Sequence, residues 1–296
     1  MSLGVAAPLA VASAALFAVG SAVQHQVAVA LPDSSVSHLR LVLQLARRPA
    51  WLLSNLSIIA GVVLHGVALA GGALVVVQPL LVTGLLFALP ISARLHRTRV
   101  SAAQWRWAAV TVAGLGAFLV LAGGGSGHTQ PDLDGLTSVV SAAVVITVAA
   151  LAAALWPGPR LKAGLYGVAS GTAAGLGAAA LKASTGLLAQ PQHHLLLSVY
   201  PYAALALGTV AFVLSQVAYR SGPLAASLPA LTLTDPVASI AVGVSLFSEQ
   251  LAGRTAVHAL QAVALAVTFT AVIALARTEN TPAVLVAPAG QRSVAG

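Results

Sequence analysis

The chain has 296 residues, of which 58% are hydrophobic and only 7% are charged. Soluble domains carry about a quarter charged residues, because a water-soluble fold must cover its surface with polar groups. This composition excludes a soluble globular protein and predicts a polytopic all-α membrane helix bundle. The net charge of +8 does not indicate nucleic-acid binding, because the basic residues lie in short connections between apolar segments.

Nine apolar segments are long enough to cross a bilayer, which takes about 20 helical residues. The first segment begins with no Lys or Arg before it, so we expect a retained span rather than a signal peptide. Polar, glycine and proline breaks place the spans at 5–30, 50–72, 74–93, 105–122, 137–155, 164–187, 197–217, 222–246 and 254–276.

Basic residues are distributed unevenly between the two sets of connections. One set contains only Arg254, with Lys182 near a span end. The positive-inside rule places the richer set in the cytoplasm, so the N-terminus and the glycine-rich loop 124–136 are predicted outside, and the tail 278–296 is predicted to be cytoplasmic and disordered. The richer set comprises Arg40, Arg47, Arg48, Arg94, Arg97, Arg99, Arg106, Arg160, Lys162, Arg220, Arg277 and Arg292.

Residues 36–48 form an amphipathic segment, with polar residues on one helical face and apolar residues on the other. This pattern is typical of an interfacial helix lying on the membrane surface. A shortened second span is the alternative, and it would move the N-terminus to the cytoplasmic side.

The sequence contains an internal repeat. A shift of 150 residues aligns 63–81 with 213–231, including Gly72 with Gly222 and Pro79 with Pro229. The matched spans lie an odd number of crossings apart, so the two copies are predicted to have opposite orientations, as in many secondary transporters. We assign 1–123 to the first repeat and 137–277 to the second. Chance resemblance between apolar hairpins is the alternative.

The segment Leu74–Ala93, followed by a basic loop and Gln104-Trp105, resembles the drug/metabolite transporter superfamily. The second copy, Ser227–Leu251, is similar to its EamA-type members, whose helix usually closes with a glutamate at the position of Glu249. The nine-span arrangement and the Gly20-Ser21 turn resemble the NIPA-type magnesium transporter branch. Gln24-His25-Gln26 stands where that branch carries lysines.

Asp235 is the one carboxylate near the middle of a predicted span. Pro229 and Pro236 lie in the same segment, and Pro236 displaces the Thr232 carbonyl from helical bonding. We expect a kinked, broken helix in which Thr232, Thr234 and Asp235 line a coupling or substrate site. A protonated Asp235 that only locks helix packing is the alternative.

Further polar residues lie within the predicted spans. Gln78 precedes the kink at Pro79, and Thr83 follows one turn later. Both are candidates for lining a cavity. His65 is a candidate for lining the cavity or for satisfying a neighbouring backbone group, and Gln24 for a site or for contact with headgroups or water. The remaining candidate is Gln216.

Lys182 is expected to reach the interface as an anchor, and Glu249 to lie in a loop or at the interface, with Arg254 as one option for its partner. A ribbon of small residues at a spacing of four permits close helix approach within the chain or in a homodimer. Its members are Gly167, Gly171, Gly175, Ala179 and Ala183.

No cysteine is present, and His193-His194 lack a third ligand, so we expect no metal site. Neither a phosphate-binding loop nor a catalytic cluster is recognisable, so we expect no cofactor and no enzymatic activity.

The leading hypothesis is a proton- or cation-coupled secondary transporter of a small metabolite or drug-like solute in a bacterial cytoplasmic membrane. Its expected partners are membrane lipids and a small-molecule or ion substrate, without nucleic acid. The rival hypotheses are a magnesium transporter, a lipid-linked substrate flippase and a non-transporting scaffold.

Overall fold

The computed structural model describes residues 3–29, 46–95, 99–122, 127–128, 130–132, 134–155, 158–188, 195–222, 224–250 and 255–278. These residues form ten α-helices and a short 3-10 helix at Leu195–Leu197. The helices are α1 (Leu3–Val29), α2 (Pro49–Gly71), α3 (Leu74–Leu81), α4 (Gly84–Leu95), α5 (Ala102–Ala122), α6 (Leu136–Ala153), α7 (Pro159–Leu188), α8 (Tyr200–Ser221), α9 (Leu224–Leu246) and α10 (Thr255–Thr278).

Nine segments of the described chain are helical, long and apolar enough to cross a membrane, with α3 and α4 forming one of them together. The predicted class, a multi-pass helical membrane protein with nine spans, is confirmed. The longest helix is α7, whose 30 residues begin at Pro159, earlier than the predicted 164. At 1.5 Å per residue it is about 45 Å long, so it tilts in the bilayer or extends beyond the hydrocarbon core.

The third span, predicted over 74–93 with a kink at Pro79, is interrupted at Val82–Thr83. Pro79 removes one helical donor, and the following amides of Val82 and Thr83 bond to carbonyls three residues back, at 3.1 Å each. The Thr83 hydroxyl donates to the Leu80 carbonyl at 2.6 Å. These bonds tighten the chain into a short 3-10 segment between α3 and α4.

Helix α9 is continuous through Pro229 and Pro236, so the expected broken helix around Asp235 is not present. A helix can tolerate proline within a membrane when neighbouring groups satisfy the freed backbone. The Thr234 hydroxyl donates to the Ala230 carbonyl of the same helix at 2.6 Å, which is not the Thr232 carbonyl that Pro236 frees. Of the three proposed kink positions, only Pro79 is followed by an interruption of its helix.

The glycine ribbon of α7 packs against α9 within the chain. A Cβ atom built on Gly171 would lie 2.8 Å from the Leu231 carbonyl oxygen, and one on Gly175 would lie 3.0 Å from the Asp235 carbonyl oxygen. The two helix backbones therefore approach more closely than any side chain on α7 would allow. The interpretation of the ribbon as intramolecular packing is confirmed, and the homodimer stays a prediction.

A comparable ribbon runs along α1. Its small residues are buried at a spacing of four and comprise Ala6, Ala10, Ala14 and Ala18. Helix α1 packs against α2 and against the α3–α4 pair, much as α7 packs against α8 and α9. Helix α5 packs against α10, and α3 contacts α9.

Helix α6 lies at the edge of the bundle. Only Ala143 and Ala150 are buried along its length, while Val145 and Val148 are more than half exposed. In a bilayer this surface faces acyl chains, because lipid is as apolar as these side chains.

The largest apolar core lies at one end of the bundle. It contains Leu69, Leu74, Val77, Phe118 and Phe247. We call this the Glu249 end, defined by the start of α3, the last turns of α7 and α9, and the connections 127–132 and 247–250. A smaller cluster of Leu89, Ala108 and Leu275 lies towards the opposite end.

Several sequence predictions fall wholly or largely outside the described residues. Residues 36–45 of the amphipathic segment, His193-His194, Arg254 as a partner of Glu249, and residues 279–296 of the tail are not among them.

Candidate functional site

The carboxylate of Glu249 lies at the beginning of α3. Leu74 donates its backbone N–H to Glu249 Oε1 at 2.7 Å, and Val75 donates to Oε2 at 2.9 Å. The first amides of a helix have no partner within the helix and carry partial positive charge, so a carboxylate at this position is stabilised. Glu249 therefore caps a helix from which it is separated by 175 residues of sequence.

Lys182 of α7 forms an ion pair with the same carboxylate. Both side chains are buried, with exposed fractions of 6% for Lys182 and 0% for Glu249. The Lys182 ammonium also lies 5.0 Å from the centre of the Phe247 ring, a cation–π contact. The expectation that Lys182 reaches the interface as an anchor is wrong, because burial within the bundle gives it a carboxylate and an aromatic face.

Two glycines leave room for the Glu249 side chain. A Cβ atom on Gly127 would lie 2.6 Å from Glu249 Cγ, and one on Gly243 would lie 2.5 Å from Oε2. The turn after α9 is fixed by the Glu249 amide, which donates to the Gly243 carbonyl at 3.0 Å. Ser248 in this turn has a positive φ of 50°, a conformation uncommon outside glycine.

The connection 127–132 covers the same end of the bundle. The amide of His128 donates to the Phe247 carbonyl at 2.7 Å, and the amide of Asp132 donates to the Leu246 carbonyl at 2.6 Å. The Gln130 side-chain amide donates to the Ala183 carbonyl at 3.2 Å. This connection therefore ties α7 to the end of α9 around the ion pair.

His65 and Gln78, two of the predicted site residues, lie next to each other between α2 and α3. Gln78 Nε2 and His65 Nε2 are 3.2 Å apart, and Gln78 is fully buried. If the amide donates, His65 is neutral and carries its proton on Nδ1. Gln78 Oε1 has no hydrogen-bond partner among the described residues, so one strong acceptor remains unsatisfied inside the bundle.

A second pair of predicted residues, Gln24 and Gln216, meets between α1 and α8. Gln24 Nε2 donates to Asn55 Oδ1 at 3.1 Å, and Gln216 Nε2 lies 3.4 Å from Gln24 Oε1 and 3.5 Å from Ser215 Oγ. Asn55 was missed by the sequence analysis, although it is an amide within a predicted span. Trp51 lies beside this cluster, with its ring 6.2 Å from Phe212.

Asp235 lies halfway along α9, where α9 faces the glycine ribbon of α7. Its Oδ1 accepts a hydrogen bond from the Ser239 hydroxyl at 3.3 Å. The side chain is half-buried, and within the described part of the chain no cation lies within ion-pair distance of it. Asp235 is therefore a carboxylate midway along a candidate membrane span, and its donor among the described residues is the neutral Ser239 hydroxyl.

The remaining predicted residues are less well placed for a site. Thr232 and Thr234 are half-buried near Asp235, and the Thr234 hydroxyl is used within its own helix. The Thr83 hydroxyl is likewise used on the Leu80 carbonyl. In the described segments, no hydrogen bond joins the Asp235 group to either amide cluster, and no group of three His, Asp or Glu side chains could hold a metal ion.

The fold and these buried polar groups define a multi-pass helical membrane protein with ionisable residues inside the bundle. An uncharacterised protein of Corynebacterium glutamicum is 29% identical over 275 residues, which cover 93% of this chain and 95% of that protein. The similarity therefore extends over nearly the whole bundle. No protein-family model matches the chain, and no solved structure matches it.

Proposed function

We propose that the chain is a secondary transporter that moves a small solute across a membrane by alternating access, with Asp235 as the coupling residue. The observation that carries the proposal is the half-buried carboxylate of Asp235, which has one neutral partner and no described counter-ion. Ionisable groups within a membrane are costly and mark substrate or proton pathways.

Helix bounds and packing support an internal repeat. A shift of 150 residues places the end of α2 on the end of α8 and the start of α3 on the start of α9. The packing pairs α1 with α7, because each contacts the two helices of its own hairpin and each carries a buried ribbon of small residues. We infer that α5 and α10 are the last helices of the two copies.

This pairing leaves α6, which the assignment of 137–277 placed in the second repeat, as a connecting helix without a counterpart. The first copy, α1 to α5, contains four crossings, so α6 is the fifth crossing and α7 begins in the opposite direction to α1. Opposed copies are the architecture with which many secondary transporters expose one central site to either side. Asp235 on α9 and Gln78 on α3 lie on the two helices that meet between the copies.

The proposed family is the drug/metabolite transporter superfamily, and the proposed location is a bacterial cytoplasmic membrane with a cytoplasmic C-terminus. The distribution of Lys and Arg supports this orientation. The Glu249 end then faces outwards, because it carries the connections that are poor in basic residues.

The proposal can be tested by comparing wild type with Asp235→Asn in proteoliposomes. We expect the wild type to carry electrical current on a solid-supported membrane when a panel of amino acids, sugars and organic cations is applied with a proton gradient. Asp235→Asn should reduce the current for the responding solute about tenfold or more, since a coupling carboxylate cannot be replaced by a group that does not ionise.

Asp134→Asn is the matched control, because it neutralises an exposed carboxylate in the connection before α6. It should leave the current unchanged. Equal rates and equal pH dependence in wild type and Asp235→Asn would show that Asp235 has no coupling role. If no solute moves, and cells with and without the protein also have identical metabolite and metal contents, the chain is not a transporter.

A further inference from the structure

We propose that Glu249 is a latch that holds the Glu249 end of the transporter closed. Its carboxylate is bonded at once to the amides of α3 and to Lys182 of α7, which lie in different copies of the proposed repeat. Opening this end requires α3 to separate from α7 and α9. The two hydrogen bonds from the α3 amides to Glu249 must then break, whereas the Glu249–Lys182 pair lies within the second copy, so the strength of these two bonds is expected to set the balance between the two access states.

The burial of the latch supports this role. The Glu249 side chain is completely enclosed, and the largest apolar core surrounds it through Leu74 and Phe247. A buried ion pair is stable only while its partners and hydrogen bonds remain in place, because each separated charge would lose much of its compensation. Lys182 therefore fixes the Glu249 carboxylate against the α3 amides in the closed arrangement, and separation of α3 leaves that carboxylate with Lys182 as its remaining described partner.

The opposite end has no equivalent carboxylate among the described residues. The shift of 150 that aligns α3 with α9 places Arg99 at the position of Glu249, and Arg99 is exposed. The described carboxylates are Asp132, Asp134, Asp235 and Glu249, and none of them lies at that end. Among the described residues, the buried carboxylate that bonds two helices at a bundle end is therefore the one at the Glu249 end.

This inference rests on the proposed alternating access, but its test requires no transported solute. The sequence contains no cysteine, so a single introduced cysteine is an unambiguous reporter. Val76→Cys reports on the Glu249 end, where Val76 is 2% exposed, and Leu89→Cys reports on the opposite half, where Leu89 is 4% exposed. A polar maleimide is applied in nanodiscs, which expose both faces of the membrane.

Glu249→Gln and Lys182→Met should each accelerate labelling of Val76→Cys about tenfold or more, because each removes one charge of the latch. Labelling of Leu89→Cys should not increase. Asp134→Asn, which neutralises an exposed carboxylate near the same end, should leave both rates within about twofold of wild type.

The Gly243→Ala variant disturbs the latch in a second way, without removing either charge. Its Cβ atom would lie 2.5 Å from Glu249 Oε2, so the carboxylate must leave its position, and labelling of Val76→Cys should again increase. Labelling rates are compared only among variants that elute as a single folded species.

Unchanged Val76→Cys labelling in Glu249→Gln and Gly243→Ala would overturn the latch. A parallel increase at Leu89→Cys would also overturn it, since general loosening of the bundle opens both ends. Failure of the transport assay with a positive labelling result would contradict the transport function but retain a closed and an open state.

Discussion

Lys182→Met should destabilise the protein by about 3–5 kcal/mol, the usual cost of removing one partner from a buried ion pair. Methionine fills the space of the lysine stem, so the loss is chiefly electrostatic. The carboxylate of Glu249 would keep its hydrogen bonds from the Leu74 and Val75 amides but lose its only described cationic partner. Thermal unfolding of the purified protein in detergent measures the effect, and Lys162→Met, which removes an exposed charge at the start of α7, is the control.

The double variant Lys182→Met with Glu249→Gln should recover most of this loss. A buried ion pair replaced by neutral groups of similar volume is often close to neutral in stability, whereas a broken pair is costly. The glutamine oxygen can still accept from one amide of α3. If the two single effects simply add in the double variant, the charges do not interact, and the ion pair does not contribute to the fold as described.

The membrane class could be predicted from the sequence because bilayer thickness determines the length of an apolar helix. The close approach of α7 to a neighbouring helix was also predictable, because Gly171 and Gly175 are four residues apart and therefore lie on the same face of the helix. The partner that packs on this face was not predictable, because the pattern on α7 does not specify whether α9 or a second chain covers it.

The pairing of Lys182 with Glu249 could not be derived by reading each residue separately. The two residues lie 67 positions apart, and each sits near the end of a span, where a charged side chain usually reaches water or headgroups. The sequence does contain one signal for this ion pair. Lys182 and Glu249 were both assigned to the side poor in basic residues, and opposite charges at one membrane face are candidates for an ion pair.

The interruption of the third span shows a different difficulty. Proline marks a weakened helix in the sequence, but whether the helix breaks depends on what approaches it. Near the break, a Cβ atom on Gly84 would lie 3.1 Å from the Ala14 carbonyl oxygen, so α1 packs closely here. In α9, Pro229 and Pro236 are accommodated in a continuous helix, although the sequence suggested the stronger distortion there.

Gly171→Val should destabilise the protein by about 2–3 kcal/mol, at the upper part of the range for overpacking a dense core. Its Cβ atom alone would lie 2.7 Å from Thr234 Cβ, 2.8 Å from the Leu231 oxygen and 3.0 Å from the Asp235 nitrogen. Two of these neighbours are backbone atoms of α9, so relief requires the helices to separate. The unfolding midpoint in mixed micelles of increasing SDS content measures the change.

Gly116→Ala is the matched control, since a Cβ atom at Gly116 meets nothing within 4 Å. It should leave stability unchanged or raise it by up to about 1 kcal/mol, because alanine is the better helix former. Similar losses at both positions would mean that α7 does not approach α9 closely.

Because the Gly171 contact includes the Asp235 backbone, separation of α7 from α9 also moves the carboxylate proposed to couple transport. We therefore expect Gly171→Val to impair transport even in the fraction that remains folded, whereas Gly116→Ala transports normally.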